Sequence, residues 1–344
     1  MTTLLLPRRA PIALVLALIL LMAGSPTHAR TITDAAGRQV VIPDQVEHIM
    51  PAGPPAALVL YTLAPKKLLG WAHKPPAEAL ALLDPAAAQL PELGALTHGD
   101  DIDTGLIQKL HPDLIVDIGT VSPRYRDLAD KVQAATGVPY ILLDGRLDRT
   151  PELYRLLGQI TGTEATAAAL ADEAGRILTE ARAALTASGS ASRPSAYYGR
   201  GEEGLTAVGP SAISAEPLPL LGLGNVVPAD KPKGDIDRAQ LQAWNPAVVL
   251  TMSEGFATQL RTDPAFAQLA AVADHHVLLA PKLPFGWIDE PPSVNRLLGL
   301  LWVEQALDPE HFTGDLRAAT RSFFHDFYRR DLTETELDQL LQPR

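Results

Sequence analysis

The chain has 344 residues, with 29 basic against 40 acidic side chains, a formal net charge of −11 and no cysteine. Such a balance argues against nucleic acid or an anionic membrane surface as partner, so any bound anion must be met by a local basic patch. The absence of cysteine excludes disulfides, a thiolate nucleophile, cysteine-ligated zinc, iron–sulfur clusters and a lipidated cysteine anchor.

Residues 1–29 read as a cleaved signal peptide. Arg8 and Arg9 form a basic start, Ile12 to Ala23 an apolar stretch, and Thr27-His28-Ala29 a small-residue cleavage site before Arg30. A spanning helix needs about 20 apolar residues, more than this stretch supplies, so no membrane anchor is expected. An exported, unanchored protein needs an enclosing compartment, and the periplasm fits. Removal of Arg8 and Arg9 leaves 27 basic against 40 acidic residues, a net charge of −13. The remaining chain is long enough for two domains.

Asp34-Ala-Ala-Gly37-Arg38 followed by Gln39 to Pro43 predicts a hairpin that turns at Gly37 into a β-branched run. Val46–Met50 predicts a short strand, Ala56–Leu63 a helix, and Leu68–Trp71 a strand leading into the loop His73-Lys74-Pro75-Pro76. Next comes Ile102-Asp103-Thr-Gly-Leu-Ile-Gln108-Lys-Leu-His-Pro112-Asp-Leu-Ile115-Val. The same pattern returns 134 positions on, since 236 − 102 = 134, as Ile236-Asp237-Arg-Ala-Gln-Leu-Gln242-Ala-Trp-Asn-Pro246-Ala-Val-Val249-Leu. Each copy reads as a short amphipathic helix, a proline stop and a buried strand. After the first copy the pattern predicts a helix through Leu128 and Val132 and a strand at Tyr140–Leu143. After the second it predicts a helix near Phe266–Val272 and a strand at Val277–Ala280.

Between the copies, Leu170, Ala174, Ile177, Leu178, Ala181 and Leu185 recur at helical spacing, and residues 152–187 predict one long helix ended by Ser188 to Pro194. A strand at Ser195–Tyr198 opens the second half. Pro281 to Pro292 is a proline-rich loop, Val294–Ala306 a helix, and Thr333-Glu-Thr-Glu336 a capping box. The expected fold is α/β: two Rossmann-like lobes with mostly parallel sheets, residues 30–151 and 191–344, joined by one long helix at 152–190.

Two lobes make a cleft, and ligands of α/β sheets sit beyond the carboxyl ends of the strands. That rule selects loops carrying Pro54, Lys74, Arg146, Ser253, Glu254 and the Phe285–Asp289 stretch. The residues expected to bind ligand are Trp71, His73, Arg124, Tyr125, Tyr198, Arg200, Trp287 and Arg296. Aromatic faces supply contact area, and arginine supplies charge and bidentate hydrogen bonding, for a large, partly planar, anionic complex. Arg296 reads equally well as a structural ion-pair partner, with Asp289 as one candidate. Gly199-x-Gly201-x-x-Gly204 follows a strand but no helix follows it, and Glu202 and Glu203 would repel a pyrophosphate, so it is not a dinucleotide site. A direct metal site using His73, His98 and an acid is a minor alternative; no metal ligand set is expected. There is no nucleophile elbow, forced carboxylate pair or phosphate loop, so neither catalysis nor a cofactor is expected.

The chain resembles the periplasmic substrate-binding proteins of the iron-siderophore/cobalamin class, with a helical backbone between lobes, that serve ABC importers. The resemblance rests on Asp34-Ala-Ala-Gly37-Arg38 with Ile42-Pro43, Leu110-His-Pro112-Asp113-Leu-Ile, Thr161-Gly162, Trp244-Asn245-Pro246 and Asp263-Pro264 with Leu269. Asp308-Pro309-Glu310-His-Phe312 also fits. It implies limited hinge motion, a monomer that binds rather than transforms its ligand, and an ABC permease dimer with its ATPase as partner. It also implies one acidic docking residue per lobe. The matching positions hold Gly105 and Ala239, so Asp103 and Asp237, two residues earlier, are candidates for permease docking or simply for helix capping. The implied ligand is an iron chelate of siderophore type. Cobalamin, haem or a small oxyanion such as molybdate, met by Arg124, Arg146, Arg200 and Arg296, are alternatives; an exported enzyme on a two-lobe scaffold is the rival class.

Overall fold

The computed structural model describes residues 29–97, 103–187, 194–231, 233–310 and 312–342. The expected signal segment up to His28, His98, Ile102, His311, the expected boundary residues Ser188 to Arg193 and the side chain of Leu185 lie outside what is described.

Strands β1 (Ala29–Thr33) and β2 (Gln39–Pro43) pair antiparallel, and Gly37 takes φ +77° in the turn between them. Asp34 organises that turn. Its Oδ1 accepts from the Ala36 and Arg38 N–H groups at 3.0 and 2.9 Å, and its Oδ2 pairs with the Arg38 guanidinium at 3.1 Å.

The first lobe is built on β3 (Ile49–Pro51), β4 (Leu114–Gly119) and β5 (Tyr140–Asp144), all parallel and in that order. Helices α1 (Pro54–Leu63), α2 (Thr104–Leu110) and α3 (Pro123–Thr136) connect and cover them. Leu68–Trp71 forms no full strand; it makes single bridges from Leu68 to Ile49 and from Trp71 to Glu92. The backbone N–H of Trp71 donates to Pro91 O and its carbonyl accepts from Leu93, so this end of the segment bonds to a loop and not to a ladder.

The expected single long helix is two. α4 (Thr150–Thr161) stops at Gly162, which takes the left-handed φ of +68°, and α5 (Glu164–Ala187) restarts two residues later. Apolar periodicity continues across the break because α4 and α5 both bury a face, and periodicity reports burial rather than continuity. Glycine at φ > 0 is the more specific signal.

The second lobe holds β6 (Ser195–Arg200), β7 (Thr206–Val208), β8 (Gly224–Asn225), β9 (Lys233–Asp235), β10 (Val248–Thr251) and β11 (Val277–Leu279) in one sheet. Its order is β11-β10-β6-β7-β9 with β8 beside β6. β11, β10, β6 and β8 run parallel, while β7 is antiparallel to both its neighbours, β6 and β9. The Gly199–Gly204 string therefore leads into the turn of a hairpin. Helices α6 (Arg238–Trp244) and α7 (Glu254–Thr262) flank β10. The longer helix here is α7; of the helix expected near Phe266–Val272 only a short 3-10 turn at Pro264–Phe266 and a one-turn α-helix at Ala270–Ala273 form. Ser253 caps α7, accepting from the Phe256 N–H at 3.1 Å.

The duplication holds element by element: α2-β4-α3-β5 matches α6-β10-α7-β11. Both first helices are capped by the repeated aspartate, with Leu106 N–H donating to Asp103 and Gln240 N–H to Asp237 at 2.8 Å each. Both end on a left-handed residue, His111 (φ 47°) or Asn245 (φ 44°), directly before the repeated proline.

α8 (Asn295–Leu307), α9 (Leu316–Tyr328) and α10 (Glu334–Leu341) end the chain. Although the sequence groups them with the second lobe, α9 and α10 pack into the core of the first. Phe323, Phe324, Phe327, Tyr328, Leu337 and Leu340 share one buried cluster with Tyr61, Trp71 and the β4 residues Leu114 and Val116. The Tyr61 hydroxyl donates to Tyr328 O at 3.1 Å, and Arg329 donates to Thr62 O at 2.8 Å with its guanidinium 4.9 Å from the Tyr61 ring centroid.

Candidate functional site

A cleft of about 910 Å³ opens between the two lobes, beyond the carboxyl ends of β4, β6 and β10. The first lobe lines it with Trp71, His73, Lys74, Asp117, Thr120 and Tyr125, and with the Gly53-Pro54-Pro55 entry to α1. The second contributes Arg200, Ser214, Lys233, Met252, Lys282 and the Leu283–Gly286 and Glu290–Pro292 parts of the proline-rich loop. Its walls are thus largely proline and aromatic, with charge set at a few points.

The eight expected ligand residues divide into two groups. Trp71, His73, Tyr125 and Arg200 line the cleft. Trp71 is nevertheless held from behind: it is 1% exposed, its indole N–H donates to Ala87 O at 3.0 Å, and its ring lies 5.1 Å from Tyr61 and 6.2 Å from Phe285. His73 Nδ1 stands 3.5 Å from a Glu92 oxygen.

Arg124, Tyr198, Trp287 and Arg296 are not among the residues lining the main cleft. Arg124 is exposed on α3, its guanidinium 5.8 Å from the Tyr125 ring centroid. Trp287 is buried, and its indole N–H turns back to Leu283 O at 3.0 Å. Tyr198 is also buried; its hydroxyl donates to Asp289 at 3.3 Å, and it borders a side pocket of about 210 Å³ next to the cleft. Burial, with the Asp289 charge adding to it, holds the Tyr198 hydroxyl well above the usual tyrosine range.

Arg296 is a structural group. It is 1% exposed and donates to Ser293 O, Ile213 O and Gly145 O at 3.2, 2.6 and 3.2 Å, and to Glu216 at 3.1 Å. Glu216 also accepts from the Leu147 N–H at 3.0 Å, so the pair ties the first lobe to the second behind the cleft. The partner is Glu216 and not Asp289. Burial lowers the Arg296 pKa and raises that of Glu216, each opposed by the other's charge. Arg200 meets Asp289 at 2.9 Å and Glu290 at 3.8 Å. The closer contact, from Arg200 Nε to Asp289 Oδ2, is Coulombic rather than a directed hydrogen bond, because Arg200 Nε has no hydrogen-bond partner among the described residues.

Sequence reasoning missed Asp117, Lys233 and Lys282. Asp117 had a legible signal, since it is the one charge inside the apolar β4. It is 4% exposed, and the Tyr140 hydroxyl donates to it at 3.0 Å. Burial lifts its carboxyl to about 6, opposed by that hydrogen bond and by one from the Ile118 backbone. Lys233 and Lys282 lie on β9 and in the proline-rich loop, and neither has an ion-pair partner among the described residues. Among the described residues no group of three or more His, Asp or Glu is placed to hold a metal ion, and no helix is long and apolar enough to cross a membrane.

Two lobes that share a repeated α/β unit, with a ligand-sized cleft between them, suit a binding protein. The chain belongs to the periplasmic binding protein family, whose model matches residues 67–283. Its fold is similar to that of an ABC transporter solute-binding protein from Sulfurospirillum deleyianum, at 24% identity and TM-score 0.81, covering 91% of this chain and 99% of that one. It is also similar to the molybdate-bound periplasmic protein MolA of Haemophilus influenzae, at 19% identity and TM-score 0.72, covering 88% and 99%. Helicobacter pylori CeuE, solved as a nickel–histidine complex, matches at 16% identity and TM-score 0.69, covering 91% and 99%. No curated protein sequence matches the chain. Membership in that family implies a binding role in the periplasm.

Proposed function

We propose that the chain captures an iron chelate of siderophore type between its lobes and delivers it to an inner-membrane ABC permease dimer driven by its ATPase. Residues 1–29 direct export and are removed, and the protein works as a monomer. The observation that carries the ligand class is the cleft itself. At about 910 Å³ it suits a drug-sized ligand or larger, and the half-buried Tyr125 offers it aromatic area, backed by the buried Trp71 and Phe285 in the wall. Lys233 and Lys282 supply uncompensated positive charge on a chain of net charge −11.

A small oxyanion is less well served. Arg146 is paired with Asp144, Arg200 with Asp289 and Arg296 with Glu216, while Arg124 stands outside the cleft. Docking is assigned to Asp103 and Asp237, both exposed.

The test is native mass spectrometry of the protein from its own periplasm, followed by calorimetry against ferric siderophores, cobalamin, haem and molybdate. A retained ferric chelate that rebinds is the expected result. Binding of molybdate, haem or cobalamin alone would replace the ligand, and no binding across the panel would sink the reading.

A further inference from the structure

The cleft carries charges of both signs, and they differ in how they are buried and paired. On the second-lobe wall Arg200 is neutralised by Asp289, whereas Lys233 and Lys282 have no acidic partner among the described residues. On the first-lobe side Lys74 and Glu78 are both exposed, Lys74 donating to Ala88 O at 2.8 Å, and the one buried charged group is Asp117. Asp117 meets a tyrosine hydroxyl and has no ion-pair partner among the described residues. A buried carboxylate without a cation costs stability, and this one lines the cleft near the carboxyl end of β4.

We infer that the cleft reads the polarity of its ligand, with Asp117 receiving an ammonium or hydroxyl donor at the first-lobe end and Lys233 and Lys282 receiving anionic oxygen at the other. This rests on the iron-chelate reading and narrows it to chelates that carry a donor arm, an acidic arm or both. Tyr140 positions Asp117 from behind, and Thr97, Thr120 and Tyr125 line the first-lobe side with neutral groups. Glu290, beside Arg200, makes that part of the second-lobe wall less attractive to an anion, which leaves the two lysines as the anionic end.

Three probes with one ferric trihydroxamate core test it: ferrioxamine B, which ends in an ammonium, its N-acetyl derivative, which is neutral, and its N-succinyl derivative, which ends in a carboxylate. Calorimetry on the wild type at pH 7.5 is expected to give the ammonium and carboxylate forms about a tenfold advantage each over the acetyl form, the order expected of one charge-assisted hydrogen bond. Asp117→Asn should abolish the ammonium advantage and leave the carboxylate one. Lys233→Gln with Lys282→Gln should do the reverse. Melting temperatures check that each variant is folded, and the acetyl form reports any general damage to the cleft. Equal binding of all three probes, or advantages that the variants do not separate, overturns the polarity while leaving the chelate reading in place. Binding of none of the three overturns both.

Discussion

Arg296 and Asp117 both occupy low-dielectric positions, but Arg296 has four acceptors around it, one of them charged, and Asp117 has only neutral donors. Asp117 therefore carries an electrostatic cost, with a definite pH dependence. Its folded pKa of about 6 lies above the ordinary value of 3.8. The stability it contributes is fully present below the unfolded value and is lost as pH rises through about 6. A gap of that size corresponds to about 3 kcal/mol in all, of which a part is already lost at pH 4. Denaturant unfolding of the wild type and Asp117→Asn at pH 4 and pH 7.5 should thus show the variant gaining about 2 kcal/mol on the wild type between the two. A difference that stays flat with pH removes the cost. Trp71, His73, Tyr125 and Arg200 were legible as cleft-lining positions, because each ends or follows a segment that reaches the cleft. Trp287, Tyr198 and Arg296 turn away from it, because residue type shows what a side chain can bind and not which way it points.

The repeated helices were the most legible part of the chain. Asp103 and Asp237 mark their starts, the repeated prolines mark their stops, and the strands that follow are continuous apolar runs apart from Asp117. The break at Gly162 was overrun by periodicity, and α7 was missed because Glu254-Gly-Phe-Ala-Thr-Gln-Leu-Arg has only a thin apolar face. The two caps also allow folding to be separated from docking. Asparagine caps as well as aspartate, whereas alanine loses about 1 kcal/mol. Asp103→Asn with Asp237→Asn should keep the wild-type melting temperature and the wild-type ligand affinity but reduce permease-dependent uptake in cells. Uptake equal to wild type would remove these two residues from the docking surface.

A strongly acidic body surrounds a cleft lined by Lys74, Lys233 and Lys282, none of which has an ion-pair partner among the described residues. An anionic chelate meets repulsion at long range and attraction at short range. The screening length is about 30 Å at 0.01 M salt and about 10 Å at 0.1 M, so the first salt added weakens the repulsion more than the attraction. Stopped-flow tryptophan fluorescence should show the association rate of the N-succinyl chelate rising from low salt to about 0.1 M and falling above about 0.5 M. A monotonic fall would place the dominant field at the cleft. The paired lobes and their cleft were readable from one repeated segment, whereas the return of α9 and α10 to the first lobe was not. Phe323, Phe324, Phe327 and Tyr328 announce a buried face, but an apolar stripe does not name its partner.

The first lobe's core, with Tyr61 and Trp71 in it, is sealed by side chains from α9 and α10, which follow the whole second-lobe sheet in the chain. A nascent chain consequently has no complete hydrophobic core there until α9 and α10 emerge. This wiring holds back folding of the first lobe until those two helices have been made. Truncation at the C-terminus would accordingly open the first lobe instead of trimming the second.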